Sequence, residues 1–122
     1  MSYLYVGLGG LLGSVARYWI SGLAATHVGQ EFPYGTFFIN VTGSFILGVL
    51  VGALTPRPGG HPWGLFLGTG FCGGYTTFST FSVETIKLLE EGTAGAGALY
   101  LVASPLFGVA AAAAGLVVGR LV

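Results

Sequence analysis

Charged side chains are almost absent from this sequence, and their scarcity restricts its fold more than any other feature. Of 122 residues, four are Lys or Arg and four are Asp or Glu. A soluble domain of this size must cover most of its surface with polar groups, which so few charges cannot do. With 53% hydrophobic residues, the chain is also too apolar for a disordered segment. The sequence therefore predicts an integral membrane protein.

Polar and proline-containing breaks divide the apolar sequence into four stretches. The breaks lie at 27–33, at 55–62 and at 90–93. We expect membrane spans at about 3–25, 34–54, 63–89 and 95–120. The spans should be helical, because a lone chain in lipid must satisfy its backbone internally and no strand-like alternation is present. The prediction is a single all-α membrane domain of four transmembrane helices over residues 1–122.

The N-terminal stretch is interpreted as a retained span rather than a cleaved signal peptide. It has no basic start, and Arg17 interrupts its apolar sequence. A cleaved signal peptide would be shorter and uncharged in its core.

Lys and Arg are divided evenly between the two ends of the predicted bundle. An even number of spans puts both termini on one side. Arg57 and Arg120 lie on that side, whereas Arg17 and Lys87 lie toward the other. Because Lys and Arg set the orientation of membrane proteins, two interpretations stay open. Either a partner or a small bias sets one orientation, or copies insert both ways and pair antiparallel.

The second span carries a polar face. Thr36, Asn40 and Ser44 repeat every four residues, so they share one side of a helix. Polar groups inside a membrane are costly and often functional. The residues alone leave two roles open, hydrogen bonding between helices and donation of hydrogen bonds to a ligand.

The centre of the third span is a poor helix core. Gly73 and Gly74 are followed by two β-branched threonines, Thr76 and Thr77, one residue later. We expect the helix to break here, opened by the two glycines, and to free backbone carbonyls near the bilayer midplane. Non-helical backbone persists at that depth only when it is buried in protein or satisfied by water or an ion. Broken spans of this kind recur in transport proteins.

Aromatic and hydroxyl side chains follow this point. Phe78 and Phe81 are spaced to share one helix face, and Glu84 is the only carboxylate near a span interior. The hydroxyl residues are Thr76, Thr77, Ser79, Thr80 and Ser82. Their density favours a transport path over packing. Neutral donors and positive ring edges suit a small, strongly hydrated anion better than a cation. Arg17 is interpreted as attracting anions at a pore mouth or as extending to the interface.

Three motifs resemble the Fluc (CrcB-type) family of fluoride channels. They read GGLLGSVARY at 9–18, GTFFINVTGSFILG at 35–48 and GFCGGYTTFSTFSVE at 70–84. The resemblance covers all four spans, although the fourth is matched only through Tyr100 and Ser104. It implies an antiparallel, dual-topology homodimer in the cell inner (plasma) membrane. Its two pores would pass fluoride passively out of the cytoplasm and give fluoride resistance.

The same resemblance implies roles for individual residues. Asn40 would coordinate fluoride, and Phe78 and Phe81 would form an aromatic box along the pores. The backbone carbonyls of Gly73 and Thr76, from both subunits, would hold a central structural sodium ion. The remaining pore or pore-mouth positions would be Thr36, Thr77, Ser79, Thr80, Ser82, Glu84, Tyr100 and Ser104. The implied partners are fluoride, a second copy of the chain and the lipid bilayer.

Other classes of protein fit the residues less well. A proton-coupled exporter of the small multidrug resistance type needs a carboxylate in its first span, where this chain has Arg17. An enzyme needs a nucleophile, base or metal cluster, whereas His27 and His61 lie in loops on opposite sides. A purely structural protein needs no track of hydroxyls. The zero net charge and the lack of a basic run give no basis for nucleic-acid binding.

Overall fold

The computed structural model describes residues 1–56 and 58–122, and every regular element in them is a helix. The helices are α1 (Ser2–His27), α2 (Tyr34–Ala53), α3 (64–75), α4 (Phe78–Glu90) and α5 (Ala94–Leu121). Helices α3 and α4 are the two halves of the third predicted span. The prediction of an all-helical chain is confirmed. Arg57, which enters the count of charges for orientation, lies outside the described residues.

The outer surface of the bundle is apolar. Helices α2 and α5 are each long and apolar enough to cross a membrane, judged by length and composition. Large apolar side chains such as those of Leu11, Val51 and Val109 are at least 60% exposed. Exposed apolar surface on this scale is expected where a protein faces lipid or a partner.

The third span breaks at the threonines and not at the glycines. Gly73 has helical angles (φ −62°, ψ −41°), and Gly74 continues the same turn. The backbone is extended at Thr76 (φ −84°, ψ 155°) and Thr77 (φ −150°, ψ 119°). The prediction that Gly73 and Gly74 open the helix is therefore wrong. β-Branched residues favour extended backbone, and the Thr77 hydroxyl starts α4 by accepting the Thr80 N–H at 3.3 Å.

Glycines in the helices instead allow neighbouring helices to pack closely against each other. A Cβ atom at Gly13 would overlap the carbonyl of Phe71, and one at Gly74 would overlap the carbonyl of Gly10. Helices α1 and α3 are thus in backbone contact, which only glycine permits. The contact between α2 and α5 is lined in the same way by Gly48, Gly52, Gly115 and Gly119.

Helix α3 is wound more widely than an α-helix along Gly64–Cys72. The N–H of Gly73 donates to the carbonyl of Gly68, five residues earlier, which is the π-helical pattern. Such winding is rare and is frequently found at functional sites. The winding returns to a single α-turn directly before the break.

Candidate functional site

The side chain of Asn40, on α2, replaces helix hydrogen bonds that Thr77 lacks at the break. The N–H of Thr77 donates to Asn40 Oδ1 at 2.8 Å, and Asn40 Nδ2 donates to the carbonyl of Thr77 at 3.0 Å. Only one orientation of the carboxamide satisfies both bonds. Because Nδ2 carries two hydrogens, this pair leaves one N–H for another acceptor.

Two further side chains hold the residues directly before the break. Arg17 Nε donates to the carbonyl of Gly74 at 3.0 Å. The hydroxyl of Tyr75 lies 2.9 Å from Thr42 Oγ1. Since the Thr42 hydroxyl already donates to the carbonyl of Phe38 at 2.7 Å, Tyr75 is the donor to Thr42. The break is therefore tied to both α1 and α2.

Thr42 and Tyr75 are not among the residues predicted from the sequence. A tyrosine placed directly before a broken helix is the signal that points to them. Its hydroxyl needs a partner when the ring is buried, and Tyr75 is 4% exposed.

Three backbone carbonyls at the break, those of Gly73, Tyr75 and Thr76, have no hydrogen-bond donor among the described residues. In a continuous helix the Gly73 carbonyl would accept the N–H of Thr77, which instead bonds Asn40. Free carbonyls at the end of a half-helix are groups that coordinate Na⁺ in other broken spans. Among the described residues no three His, Cys, Asp or Glu side chains are grouped to hold a metal. A cation at the break would thus rest on carbonyl oxygens.

An inner cavity of about 320 Å³ lies beside the break and brings together five of the predicted pore residues. Its lining includes Asn40, Ser44, Thr76, Thr77, Phe78, Phe81 and Ser104. No charged side chain of residues 1–56 and 58–122 lines it. The rings of Phe78 and Phe81 are 5.8 Å apart between centroids and tilted by 50°. Phe81 is 6% exposed, whereas Phe78 is 79% exposed, so the inner cavity is open on the side of Phe78.

An outer cavity of about 550 Å³ lies at the end of the bundle where α4 ends. It is lined by the loop between α1 and α2 and by polar residues of α2 and α4. These include Glu31, Thr36, Thr80, Glu84, Lys87 and Glu91. Among the described residues, the charged side chains that line these two cavities are therefore confined to the outer one.

Tyr100 connects the two cavities. Its hydroxyl donates to Glu84 Oε1 at 3.0 Å. Its fully buried ring packs edge-on against Phe81, with centroids 5.0 Å apart. One residue of α5 thus contacts a wall of the inner cavity and the carboxylate of the outer one.

Five predicted residues line neither cavity, namely Gly73, Tyr100, Ser79, Ser82 and Arg17. Ser79 is exposed, with its Oγ 3.4 Å from Thr77 Oγ1. Ser82 Oγ donates to the carbonyl of Phe78 at 2.9 Å. Arg17 bonds Gly74 at the break and lines neither cavity. Of the hydroxyls on α4, only Thr80 faces a cavity.

Helix dipoles create electrostatic potentials of opposite sign on the two sides of the break. Helix α3 ends there with free carbonyls, which form the negative end of a helix dipole. Helix α4 begins there with its free N–H groups, which form the positive end. A cation is favoured at the end of α3, and an anion is favoured at the start of α4 beside Asn40.

These features define a helical membrane protein with a broken span and an uncharged cavity beside it. The family described as "CrcB-like protein, Camphor Resistance (CrcB)" matches residues 4–116. The chain belongs to this family, which confirms the family resemblance seen in its three motifs.

Curated relatives match the chain over nearly its full length. It is 45% identical over 121 residues to the "Fluoride-specific ion channel FluC" of Acidobacterium capsulatum, covering 98% of this chain and 97% of that protein. It is 45% identical over 121 residues to "Fluoride-specific ion channel FluC 2" of Nitrobacter hamburgensis, covering 98% of both. It is 46% identical over 119 residues to "Fluoride-specific ion channel FluC 1" of Listeria monocytogenes, again covering 98% of both.

Proposed function

We propose that this chain is one subunit of a fluoride-selective channel, which lets fluoride leave the cytoplasm down its electrochemical gradient. Its relatives are named fluoride-specific ion channels over almost the whole of its length. Membership of this family also agrees with the expectation that the chain is not an enzyme. Passive export of fluoride would protect the cell that contains the channel.

The uncharged inner cavity is the main structural observation that supports this proposal. Asn40 is held by the backbone of Thr77 and keeps one N–H for an acceptor. The same cavity is lined by Ser104 and by the ring of Phe81. Fixed neutral donors can replace the water shell of a small anion with short hydrogen bonds, and ring edges add positive potential. A larger anion such as chloride fits the same fixed donors less well.

A second copy of the chain completes the proposed path. Phe78 forms part of the inner cavity and yet is 79% exposed in the single chain. An exposed aromatic ring at the open side of such a cavity is a surface that a partner can cover. We propose an antiparallel homodimer with two pores, inserted in both orientations in the inner (plasma) membrane. The near balance of Lys and Arg supports this arrangement.

A sodium ion fits the free carbonyls at the break. We propose that Gly73 and Thr76 of both subunits hold it, and the free carbonyl of Tyr75 lies between them in sequence. Sodium would supply a fixed positive charge where two negative helix ends meet. The donor set is purely carbonyl, which suits a hard monovalent cation better than a transition metal.

Fluoride efflux from proteoliposomes tests the proposed function. Vesicles loaded with fluoride or with chloride are measured with ion-selective electrodes. We expect the purified protein to release fluoride and to retain chloride. Asn40→Ala removes both bonds to Thr77 and the free N–H, so we expect fluoride efflux at least about 100-fold slower, from the loss of two or more buried hydrogen bonds.

Thr26→Ala is the matched control, because the exposed Thr26 hydroxyl bonds only the carbonyl of Gly22 within its own helix. Its fluoride efflux should equal that of the unmodified protein. Chloride release as fast as fluoride release would contradict the proposed selectivity. The absence of fluoride release from well-folded protein would contradict the proposed function altogether.

A further inference from the structure

Arg17 is the only Lys or Arg in α1, and its position is unusual for a membrane helix. It is ten residues from the end of α1 and partly buried. A charged side chain at such a position usually extends to the interface or faces a polar partner inside the bundle. Here Nε donates to the carbonyl of Gly74 at 3.0 Å. The partner is a backbone group beside the break.

The packing of α1 on α3 places Arg17 at this carbonyl. Gly13, one turn earlier on the same face of α1, contacts the backbone of Phe71 and Tyr75. The Arg17 side chain therefore extends along α3 toward its end. The glycine contacts fix the distance between the two helices, so they also fix where the guanidinium meets the break.

The Gly74 carbonyl needs a donor for a clear physical reason. In a continuous helix it would accept the N–H of Phe78, but the extended residues Thr76 and Thr77 move that N–H away. An unsatisfied carbonyl in the hydrocarbon region costs several kilocalories per mole. Without Arg17, Gly74 would add a further free carbonyl to those of Gly73, Tyr75 and Thr76.

We infer that Arg17 is a positioning residue for the ion path. Its Nε–H occupies the Gly74 carbonyl and thereby determines which carbonyls at the break remain free. It also fixes the last turn of α3, and with it the start of the extended pair whose second residue, Thr77, is held by Asn40. We call the hydrogen bond from Arg17 to the Gly74 carbonyl the clamp. The clamp is inferred from the structure of the break alone, whereas its effect on fluoride flux rests on the proposed function.

The position of the donor, rather than the charge, is the essential property of Arg17 in this role. Glutamine places its Nε2 the same number of bonds from Cα as the Nε of arginine and carries no charge. Lysine keeps the charge but has its donor one bond further out. Methionine fills similar space with no donor. The three substitutions therefore distinguish two roles of Arg17. In one its N–H holds the Gly74 carbonyl, and in the other its positive charge attracts anions.

The test combines hydrogen exchange with fluoride efflux. Amide exchange of the segment 70–82 is measured by mass spectrometry in lipid nanodiscs for Arg17→Met, Arg17→Gln and Arg17→Lys. We expect exchange at the break to rise about tenfold or more in the methionine variant, consistent with loss of one charge-assisted hydrogen bond. The glutamine variant should stay within about threefold of the unmodified protein.

Fluoride efflux should follow the same order, with Arg17→Gln above Arg17→Lys and Arg17→Met slowest. The sodium concentration for half-maximal efflux should rise in the methionine variant and stay unchanged in the glutamine variant. Arg120→Gln, at the exposed end of α5, is the control for loss of a positive charge. Its exchange and efflux should be unchanged.

Two results would overturn the clamp. One is exchange over 70–82 in Arg17→Met equal to that of the unmodified protein. The other is better efflux with lysine than with glutamine, which would show that charge is what matters. If Arg17→Met does not fold, fluoride efflux of Arg17→Gln compared with Arg17→Lys still decides whether the donor or the charge matters. If the unmodified protein passes no fluoride, the proposed function fails, while the exchange data still decide whether Arg17 holds the break.

Discussion

The two halves of the broken third span have opposite chemistry. Helix α3 is rich in glycine, carries no charged side chain and contacts α1 through backbone atoms. Helix α4 carries hydroxyls, two phenylalanines, Glu84 and Lys87, and it packs on α5 around Tyr100. The chain passes from one kind of helix to the other within two extended residues, Thr76 and Thr77.

The difference indicates that the two halves of the span have separate roles. Helix α3 supports the fold, and α4 contributes residues that line the cavities. In α3 an added atom overlaps a neighbouring backbone, so substitutions there should damage folding. In α4 the two phenylalanines, Thr80 and Glu84 line the cavities, so substitutions of these residues should damage the ion path and leave the fold intact. The following predictions test this division, from the largest expected effect to the smallest.

Gly74→Ala should have the largest effect on folding. Its Cβ would overlap the carbonyl of Gly10, a backbone atom that cannot rotate away. We expect the free energy of unfolding to fall by about 1–3 kcal/mol or more, as for other overpacked contacts. Thermal unfolding and the monodisperse fraction in detergent measure it. Gly7→Ala, where the Cβ has open space, should be neutral or slightly stabilising. Equal stability of the two variants would contradict the support role of α3.

Phe81→Ile should reduce fluoride efflux by about 10- to 100-fold, or roughly 1.4–3 kcal/mol of ring-edge stabilisation of the ion. The change keeps an apolar side chain of similar bulk, so the protein should remain folded. Efflux from proteoliposomes measures the effect, and size-exclusion chromatography measures assembly. Phe107→Ile is the control, because that ring lines neither cavity and packs edge-on against Phe37. Unchanged fluoride efflux in Phe81→Ile would contradict the hypothesis that the ring edge of Phe81 stabilises the ion.

Tyr100→Phe should slow fluoride efflux by up to about tenfold through loss of one hydrogen bond. The buried ring keeps its contacts with Phe81 and Phe32, so stability should change less. A double-mutant cycle with Glu84→Gln measures the coupling. If the bond between Tyr100 and Glu84 matters for transport, the two changes together should cost less than the sum of each alone. Strict additivity would show that the two side chains act separately.

Ser104→Ala should lower efflux only a few-fold, roughly the value of one neutral hydrogen bond. Ser104 is 5% exposed and lines the inner cavity. Ser79→Ala is the comparison, since Ser79 is exposed and lines neither cavity. Its efflux should be unchanged. A larger effect of Ser79→Ala than of Ser104→Ala would place the path on the opposite side of α4.

The helical architecture could be predicted from the sequence because it depends on local composition. The loops fall at polar stretches such as 27–33 and 90–93, where an apolar helix must end. The spacing of Thr36 and Asn40 also places both on the candidate path, because a helix face repeats every three to four residues.

The details of the break could not be predicted, because other helices decide them. Gly74 is a poor helix former by propensity, yet contact with α1 keeps it helical. The carbonyl that Arg17 bonds and the pairing of Thr42 with Tyr75 depend on distances between helices. A sequence read one segment at a time does not contain those distances.

In the proposed channel, the double hydrogen bond between Asn40 and Thr77 would couple ion recognition to the backbone conformation of the break. An ion that reaches Asn40 meets a donor whose torsions are already fixed, so binding avoids an entropic cost on the order of 1 kcal/mol. A larger ion cannot be accommodated by rotating the carboxamide, because rotation would release the N–H and carbonyl of Thr77 into the membrane. In the proposed channel the site would therefore resist adaptation to other anions. The cost of unfolding the break would enforce its discrimination between them.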